Sequence, residues 1–181
     1  IGQVKELFEE AFRRVWYGDI ENDGFNNLVL GAGLSWRQIV ILRAYCKYLL
    51  QAKIPFSQAY MEETLARNSG IARDIVALFE CLFDPSAQKK QTASEEKRLI
   101  RNIESALEAV ASLDEDRILQ RYVNVVQSTL RTNFYQPGEN GGPKPYLSMK
   151  LDSQKIDELP LPRPLVEIFL HSPRVDAVHL R

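Results

Sequence analysis

The sequence lacks an excess of charge of either sign. Its 181 residues carry 23 Lys and Arg against 24 Asp and Glu, which gives a formal net charge of −1. Affinity for nucleic-acid phosphates requires an excess of basic residues. One local basic cluster lies around Glu95 and Glu96 and is better explained as a solvated helix start: Lys89, Lys90, Lys97, Arg98 and Arg101. We therefore expect no nucleic-acid partner.

Long hydrophobic runs are absent as well. No stretch reaches the roughly 18 apolar residues that a membrane span needs. Residues 1–10 alternate charged and apolar side chains, unlike the continuous apolar stretch of a signal peptide. Yet 45% of the residues are hydrophobic, enough for a core, so disorder of the whole chain is excluded. We expect neither a membrane span nor a signal peptide, and one domain with or without an appendage.

Cysteine is scarce. Cys46 and Cys81 are the only two, and each lies inside an apolar helical pattern. Two interpretations are open: a disulfide between them, or two buried free thiols in a reducing compartment. The helical pattern favours the thiols.

Residues for metal or nucleotide chemistry are few. His171 and His179 are the only histidines, on predicted strands, with no Cys or carboxylate at ligand spacing. Half-buried or surface strand positions explain them better than a metal site. The glycine-rich residues 138–142 have neither the P-loop ending nor the dinucleotide fingerprint, and they follow a predicted helix, so they indicate a flexible linker.

Catalytic side chains are equally hard to find. Cys46 has no base nearby in sequence. The acidic pairs fall on polar helix faces or at helix starts: Glu9/Glu10, Glu62/Glu63 and Glu95/Glu96. Six aromatic residues match core positions and need no ligand: Phe8, Phe12, Trp16, Trp36, Phe79 and Phe83. The sequence therefore predicts no catalytic, cofactor-binding or metal-binding residue.

Helical periodicity fills most of the chain. Six helices are predicted before about residue 135: 1–17, 35–52, 57–68, 71–83, one from Thr92, and one from Ser112 with Leu130 facing inward. Three capping boxes support the starts at Ser35, Thr92 and Ser112. Residues 19–33 are expected to be a loop.

The pattern changes after residue 135. Residues 136–145 are rich in Pro and Gly and are expected to be a linker. Strands are predicted at 146–151, 165–171 and 175–180. The expected fold class is mainly α, a multi-helix domain (1–135) followed by a β segment of two to three strands (146–181). Because the chain starts at Ile1 without Met and stops at Arg181 inside an apolar alternation, we interpret it as a fragment.

The C-terminal part resembles the large bacterial NAD-specific glutamate dehydrogenases. The blocks that carry the resemblance are 114–119, 129–135, 144–151, 159–164, 167–169 and 172–181. In this order and spacing they are similar to the segment just before the catalytic core, whereas residues 1–113 fit the family's helical region by pattern and position. The β segment would then be the truncated start of the catalytic (substrate) domain.

The resemblance implies a parent enzyme that interconverts glutamate with 2-oxoglutarate and ammonia and passes hydride to NAD. It also implies a cytoplasmic homo-oligomer in amino-acid catabolism. The substrate stretch and the dinucleotide domain would lie beyond Arg181, so this chain would hold no cofactor and be inactive by itself. For Arg174 and Arg181, a structural role is favoured over an approach to the parent's active site.

Two roles remain open for the helical part. One is a scaffold or contact between domains and subunits, with the remainder of the parent chain as partner. The other is a regulatory small-molecule-binding module, which requires a concave pocket with convergent polar groups.

Overall fold

The computed structural model describes residues 2–87 and 89–181. Seven α-helices precede a four-stranded sheet in this part of the chain, which confirms the mainly α fold class with a C-terminal β segment. The helices are α1 (Gly2–Trp16), α2 (Leu28–Gly31), α3 (Trp36–Gln51), α4 (Gln58–Arg67), α5 (Ser69–Phe83), α6 (Lys89–Leu107) and α7 (Leu113–Gln127). The strands are β1 (Thr129–Thr132), β2 (Leu147–Leu151), β3 (Glu167–Ser172) and β4 (Val175–Leu180). None of the described helices is long and apolar enough to span a membrane.

Helix α3 is the centre of the molecule. Its start is fixed by the predicted capping box: Ser35 Oγ accepts from the Gln38 N–H at 3.3 Å, and Gln38 Oε1 accepts from the Ser35 N–H at 3.0 Å. Apolar side chains occur around most of its circumference, and nine of its residues are buried, Ile39 and Leu49 among them. Such a helix must be covered on several sides. Helices α1, α4, α5 and α7 and strands β2 and β3 all contact it.

The sheet is antiparallel throughout, in the order β1-β2-β3-β4. Alternate residues of β2 and β3 face the helices, and the largest apolar ones, Met149 and Phe169, are fully buried. The Phe169 ring meets Tyr48 of α3 edge-on at 5.5 Å between ring centres. Residues of the helices and of the sheet therefore belong to one hydrophobic core.

Strand β1 corrects the predicted end of the last helix. Helix α7 ends at Gln127, and Leu130 lies on β1 with 48% of its surface exposed, so it is not an inward helical residue. Ser128 is the C-cap of α7, and the next residue, Thr129, is held by its Oγ1, which donates to Val125 O and lies 2.8 Å from Tyr45 Oη. The strand pairs with β2, a partner about twenty residues downstream that local periodicity does not register.

Helix starts and loops differ from the prediction in two further places. Helix α6 begins at Lys89, so Thr92 lies inside it and does not cap it. The predicted loop 19–33 contains a 3₁₀ turn and the short helix α2, which buries Leu28 and Val29. The side chains of Lys89 and Lys90 lie outside the described part, whereas the rest of the basic cluster is exposed.

The prediction that the aromatic residues of the first helix lie in the core is wrong. The helix itself forms as predicted, but Phe8, Phe12 and Trp16 are 49%, 60% and 76% exposed. Trp36 and Phe83 are half-buried, and only Phe79 of the six aromatic residues is fully buried.

Candidate functional site at the helix–sheet junction

Two tyrosines of α3 join the helical body to the sheet. The Tyr48 hydroxyl donates a short hydrogen bond to the Glu167 carboxylate on β3. One turn earlier, Tyr45 Oη lies 2.8 Å from Thr129 Oγ1 on β1. All four side chains are buried, so each pair satisfies polar groups that would otherwise be costly to desolvate. The junction is therefore specified by polar contacts as well as by apolar packing.

Arg37 ties the start of α3 to the segment that precedes β2. Its guanidinium donates to Phe134 O at 2.8 Å and to Lys144 O at 3.4 Å, and it lies 4.5 Å from the centre of the Phe134 ring. The predicted linker 136–145 is thus held at one end by a helix side chain. It also closes on itself, since the Gly138 N–H donates to Gly142 O at 2.7 Å. Gly141 occupies the left-handed region at φ 76°, where a glycine is favoured.

Arg43 is a fully buried cation in the middle of α3. It forms a two-pronged contact with Asp23, both oxygens at 2.7 Å, and donates to Asn26 Oδ1 at 3.0 Å. Asp23 also accepts from the Phe25 N–H at the start of the 3₁₀ turn. A buried guanidinium must be paired in this way, because an unpaired charge is strongly destabilising. Arg43 therefore anchors the loop before α2 to the central helix.

His171 on β3 lies between the polar contacts of Arg43 and the edge strand β4. Its Nδ1 lies 2.7 Å from Asp176 Oδ1 on β4, and its Nε2 lies 3.4 Å from Glu21 Oε1, outside hydrogen-bond geometry. The other oxygen of Glu21 is 3.6 Å from Arg43 Nε. The side chain is only 2% exposed.

A cleft of about 740 Å³ opens beside His171 and Glu21. The loop after α1, the N-terminal turn of α3, residues 140–147 and the β3–β4 turn form its walls. Its polar and aromatic lining includes Trp36, Arg37, Lys144, Tyr146, His171 and Arg174. The cleft thus combines cations with aromatic surface, the kind of concave site that the regulatory hypothesis requires.

The buried tyrosines and Cys46 are held in their neutral forms. Burial raises the pKa of Tyr48 above its usual range, with the Glu167 carboxylate adding to the shift, and burial likewise raises the pKa of Tyr45 and of Tyr122. Burial raises the pKa of Cys46 to about 12. Tyr45 and Tyr48 therefore keep their hydroxyl protons for hydrogen bonds, and Cys46 is a protonated apolar side chain, which gives no nucleophile at neutral pH.

The sequence-derived candidates are not brought together as a catalytic group. His179 is exposed on β4, with its Nε2 3.4 Å from Arg181 Nε, while His171 belongs to the junction. Both cysteines are free thiols, as favoured from the sequence; Cys46 is buried as predicted, whereas Cys81 is only half-buried. Within residues 2–87 and 89–181, no group of three or more His, Cys, Asp or Glu is arranged to hold a metal ion.

The acidic pairs serve as ion-pair and hydrogen-bond partners. Glu10 contacts Arg14, Glu62 accepts from the Gly24 N–H, and Glu95 pairs with Arg98. No acid–base dyad results from these positions.

Sequence reasoning missed the partners of His171. Asp176 is five residues away across a tight hairpin, and Glu21 is 150 positions earlier in the chain. The strand alternation of 167–172 and 175–180 could have indicated the Asp176 contact, because the residues that face each other across a two-residue turn follow from the register. No local signal points to Glu21.

Two family models match the chain, one over helices α2 to α5 and the other over the end of α6, helix α7 and the sheet. Residues 20–85 match the model described as glutamate dehydrogenase, helical motif 3. Residues 102–181 match the model described as bacterial NAD-glutamate dehydrogenase, catalytic domain. The first match is to a helical motif and the second is to part of a dehydrogenase catalytic domain.

Curated proteins described as NAD-specific glutamate dehydrogenase agree with this class. Those of Halomonas elongata, Mycobacterium tuberculosis and Pseudomonas aeruginosa are each 45% identical to the chain, over 179, 175 and 185 residues. The alignments cover 99%, 96% and 100% of the chain and 11% of each relative. The chain is therefore similar to the bacterial NAD-specific glutamate dehydrogenases, as the resemblance of its C-terminal part indicated. It spans about 11% of the length of these relatives.

Proposed function

We propose that this chain is a non-catalytic segment of an NAD-dependent glutamate dehydrogenase whose helical part is a scaffold for the start of the catalytic domain. The parent would convert L-glutamate, NAD and water to 2-oxoglutarate, ammonia and NADH, as a cytoplasmic homo-oligomer. NAD would bind elsewhere in the parent. The remainder of the parent chain is then the main partner of this segment.

The observation that carries the scaffold role is the position of α3 beneath the sheet. Its side chains supply the hydrogen bonds of Tyr45 to β1 and of Tyr48 to β3, and they share one core with Met149 and Phe169. The matches to the helical-motif and catalytic-domain models fall on opposite sides of this contact. A helix that fixes two strands of the sheet at once sets their position relative to the helical body.

The substitution Tyr48→Phe tests this role. It leaves the Glu167 carboxylate buried without its donor, which costs about 1–3 kcal/mol. In a chain of this size, 1 kcal/mol corresponds to about 2–4 °C in melting temperature. We expect the melting temperature of the 181-residue chain to fall by several degrees. In the full-length enzyme, glutamate-dependent activity should be lost at lower temperature with KM for glutamate and NAD unchanged.

The matched control is Tyr17→Phe, which removes a hydroxyl from a residue that is 73% exposed. It should change neither the melting temperature of the 181-residue chain nor the temperature at which the full-length enzyme loses activity. Equal stability of the Tyr48→Phe variant and the wild type would contradict the scaffold role. A saturable micromolar heat on calorimetric titration of the 181-residue chain with NAD would contradict its non-catalytic character.

A second candidate function is a regulatory small-molecule-binding module of the same enzyme. The cleft at the junction favours it, because Arg37, Lys144 and Arg174 face a cavity large enough for a metabolite. A thermal-shift screen of amino acids and nucleotides is the test, since a ligand that binds only the native state raises the melting temperature. The shift should be lost in Lys144→Ala if the ligand occupies this cleft.

A further inference from the structure

Helix α1 carries an apolar ridge that the described residues of the chain leave uncovered. We define the ridge by four residues at intervals of four: Val4, Phe8, Phe12 and Trp16. Their exposed fractions are 42%, 49%, 60% and 76%, and the rings of Phe12 and Trp16 stack with 6.3 Å between their centres. Large apolar side chains aligned along one helix are typical of a contact surface.

The rise in exposure along the ridge follows from helix geometry. Each residue advances about 100° around the axis, so a step of four residues advances about 40° beyond a full turn. Helix α1 packs through Leu7 and the buried Ala11 against its neighbours. The ridge starts beside this packing face at Val4 and turns about 120° away from it by Trp16. It therefore forms a second face that the helical body does not use.

The charges beside the ridge neutralise one another. Lys5 pairs with Glu9 at 3.6 Å, and Glu10 pairs with Arg13 at 3.0 Å and with Arg14 at 2.7 Å. Helices that bind anionic lipid surfaces are rich in Lys and Arg on the polar face, and α1 has as many Glu as basic residues. The surroundings of the ridge thus favour an apolar protein surface over a lipid surface.

The size of the ridge indicates whether a second copy of the chain or another segment of the same polypeptide covers it. Four side chains on one helix offer on the order of a few hundred Å², below the roughly 800 Å² per partner of a stable interface. A segment tethered to the same chain needs less area, because its effective concentration reaches about millimolar values. The relatives are so much longer that the chain covers 11% of them, which leaves ample sequence for such a segment.

We propose that the ridge of α1 packs against an amphipathic helix contributed by another part of the full-length polypeptide. This inference rests on the proposed function, in which the chain is one segment of a larger enzyme. Residues at i, i+4, i+8 and i+12 form the ridge type that interdigitates with the same ridges of a second helix, at a crossing angle of about −50°. The partner helix would present apolar residues at the same spacing.

Hydroxyl-radical footprinting of the full-length enzyme and of the 181-residue chain tests the proposal. In the 181-residue chain at low micromolar concentration, Phe12 and Trp16 should be oxidised rapidly. In the full-length enzyme their oxidation should be at least fivefold slower. Phe25 and Phe79, which are fully buried, serve as internal controls and should be protected in both proteins.

A variant pair supplies the energetic test. The double substitution Phe12→Gln/Trp16→Gln should lower the melting temperature of the full-length enzyme and leave that of the 181-residue chain unchanged. The control Arg13→Gln, on the same helix and also exposed, should affect neither.

Three results would overturn the proposal. Equal oxidation in both proteins would leave the ridge open in the enzyme. Protection of the 181-residue chain that grows with its concentration would assign the ridge to a second copy. Protection only in the presence of phosphatidylglycerol vesicles would assign it to a lipid surface. A full-length protein without glutamate-dependent NAD reduction would refute the proposed function instead, while the footprint would still report on the ridge.

Discussion

The side chains of α3 face several different surroundings, and Cys46 is one of the fully buried ones. Its thiol is buried in the core, and burial raises its pKa to about 12. The reactive species is the thiolate, whose fraction falls tenfold for each unit that the pKa lies above the ambient pH. Cys81 is half-buried and hence more accessible, although burial followed by Glu95 and Glu96 raises its pKa too.

We predict that Ellman's reagent at pH 8 modifies Cys81 in the native protein and reaches Cys46 only after unfolding. In the Cys81→Ser variant, Cys46 is the thiol that remains for the reagent to modify. Its labelling rate should be very low at pH 8 in the native protein and should rise sharply when urea unfolds the chain, because unfolding exposes the Cys46 thiol. Rapid native labelling of Cys81→Ser at pH 8 would contradict the burial of Cys46.

At the scale of single elements, the capping box makes the start of α3 the best-defined helix end. Ser35→Ala removes the oxygen that accepts from the Gln38 N–H. We predict a loss of about 1 kcal/mol, the usual cost of removing an N-cap hydroxyl. The measurement is the urea midpoint of the 181-residue chain. The control is Ser105→Ala on the exposed face of α6, where alanine is the better helix former and no loss is expected.

The two edges of the sheet differ in how they resist further pairing. Strand β1 has four residues and a register shift between Thr129 and Arg131, both of which hinder strand addition. Strand β4 has six residues in regular register with β3, and within the described residues no strand pairs with its outer edge. Val175 and Leu180 on this strand are 57% and 59% exposed. Strand β4 is thus the edge open to a partner.

We predict that the 181-residue chain associates through β4 at high concentration and that Val178→Pro prevents it. Val166 and Arg181 exchange both backbone hydrogen bonds, so the Arg181 N–H points towards the neighbouring chain segment. The N–H groups of an antiparallel strand point alternately towards and away from the partner, and the Val178 N–H, three positions earlier, therefore points to the outer edge. A proline there removes an outward donor and leaves the bonds to β3 intact. Light scattering should show a monomer with an almost unchanged circular dichroism spectrum. Continued association of this variant would place the contact elsewhere.

For the whole molecule, the division into a helical domain (1–135), a linker (136–145) and a β segment (146–181) stays a prediction. The core crosses that division, since Leu147, Met149 and Phe169 pack with residues of the helices. Removal of residues 136–181 would take away strands β2 to β4 and leave Tyr48 without Glu167 and Phe169. The helices of 1–135 have their own core residues, among them Leu42, Ile75 and Leu119.

We predict that a chain of residues 1–135 keeps a helical circular dichroism spectrum and unfolds at a lower urea concentration than the 181-residue chain. Its denaturation slope should also be smaller, because less surface becomes exposed on unfolding. Binding of a hydrophobic dye should increase as the face of α3 is uncovered. A chain of residues 1–135 with an unchanged midpoint would show that the sheet contributes nothing to the stability of the helical part.

The sequence by itself determined the elements whose signals are local. Ser35 and Ser112 cap the helices that follow them, alternation in 146–180 gives three of the four strands, and the C-terminal blocks indicate the family. Caps and periodicities depend on residues within one or two turns, so they can be read without the fold.

Only the tertiary structure decided which apolar residues form the core and which polar residues meet. Phe12 and Phe79 look equivalent in their helical patterns, but one faces solvent and the other is fully buried, because a stripe does not specify what covers it. The contacts of Glu21 with His171 and of Tyr45 with Thr129 join distant positions and leave no local trace. Strand β1 likewise exists because β2 returns to pair with it. These features depend on chain path, which local periodicity does not encode.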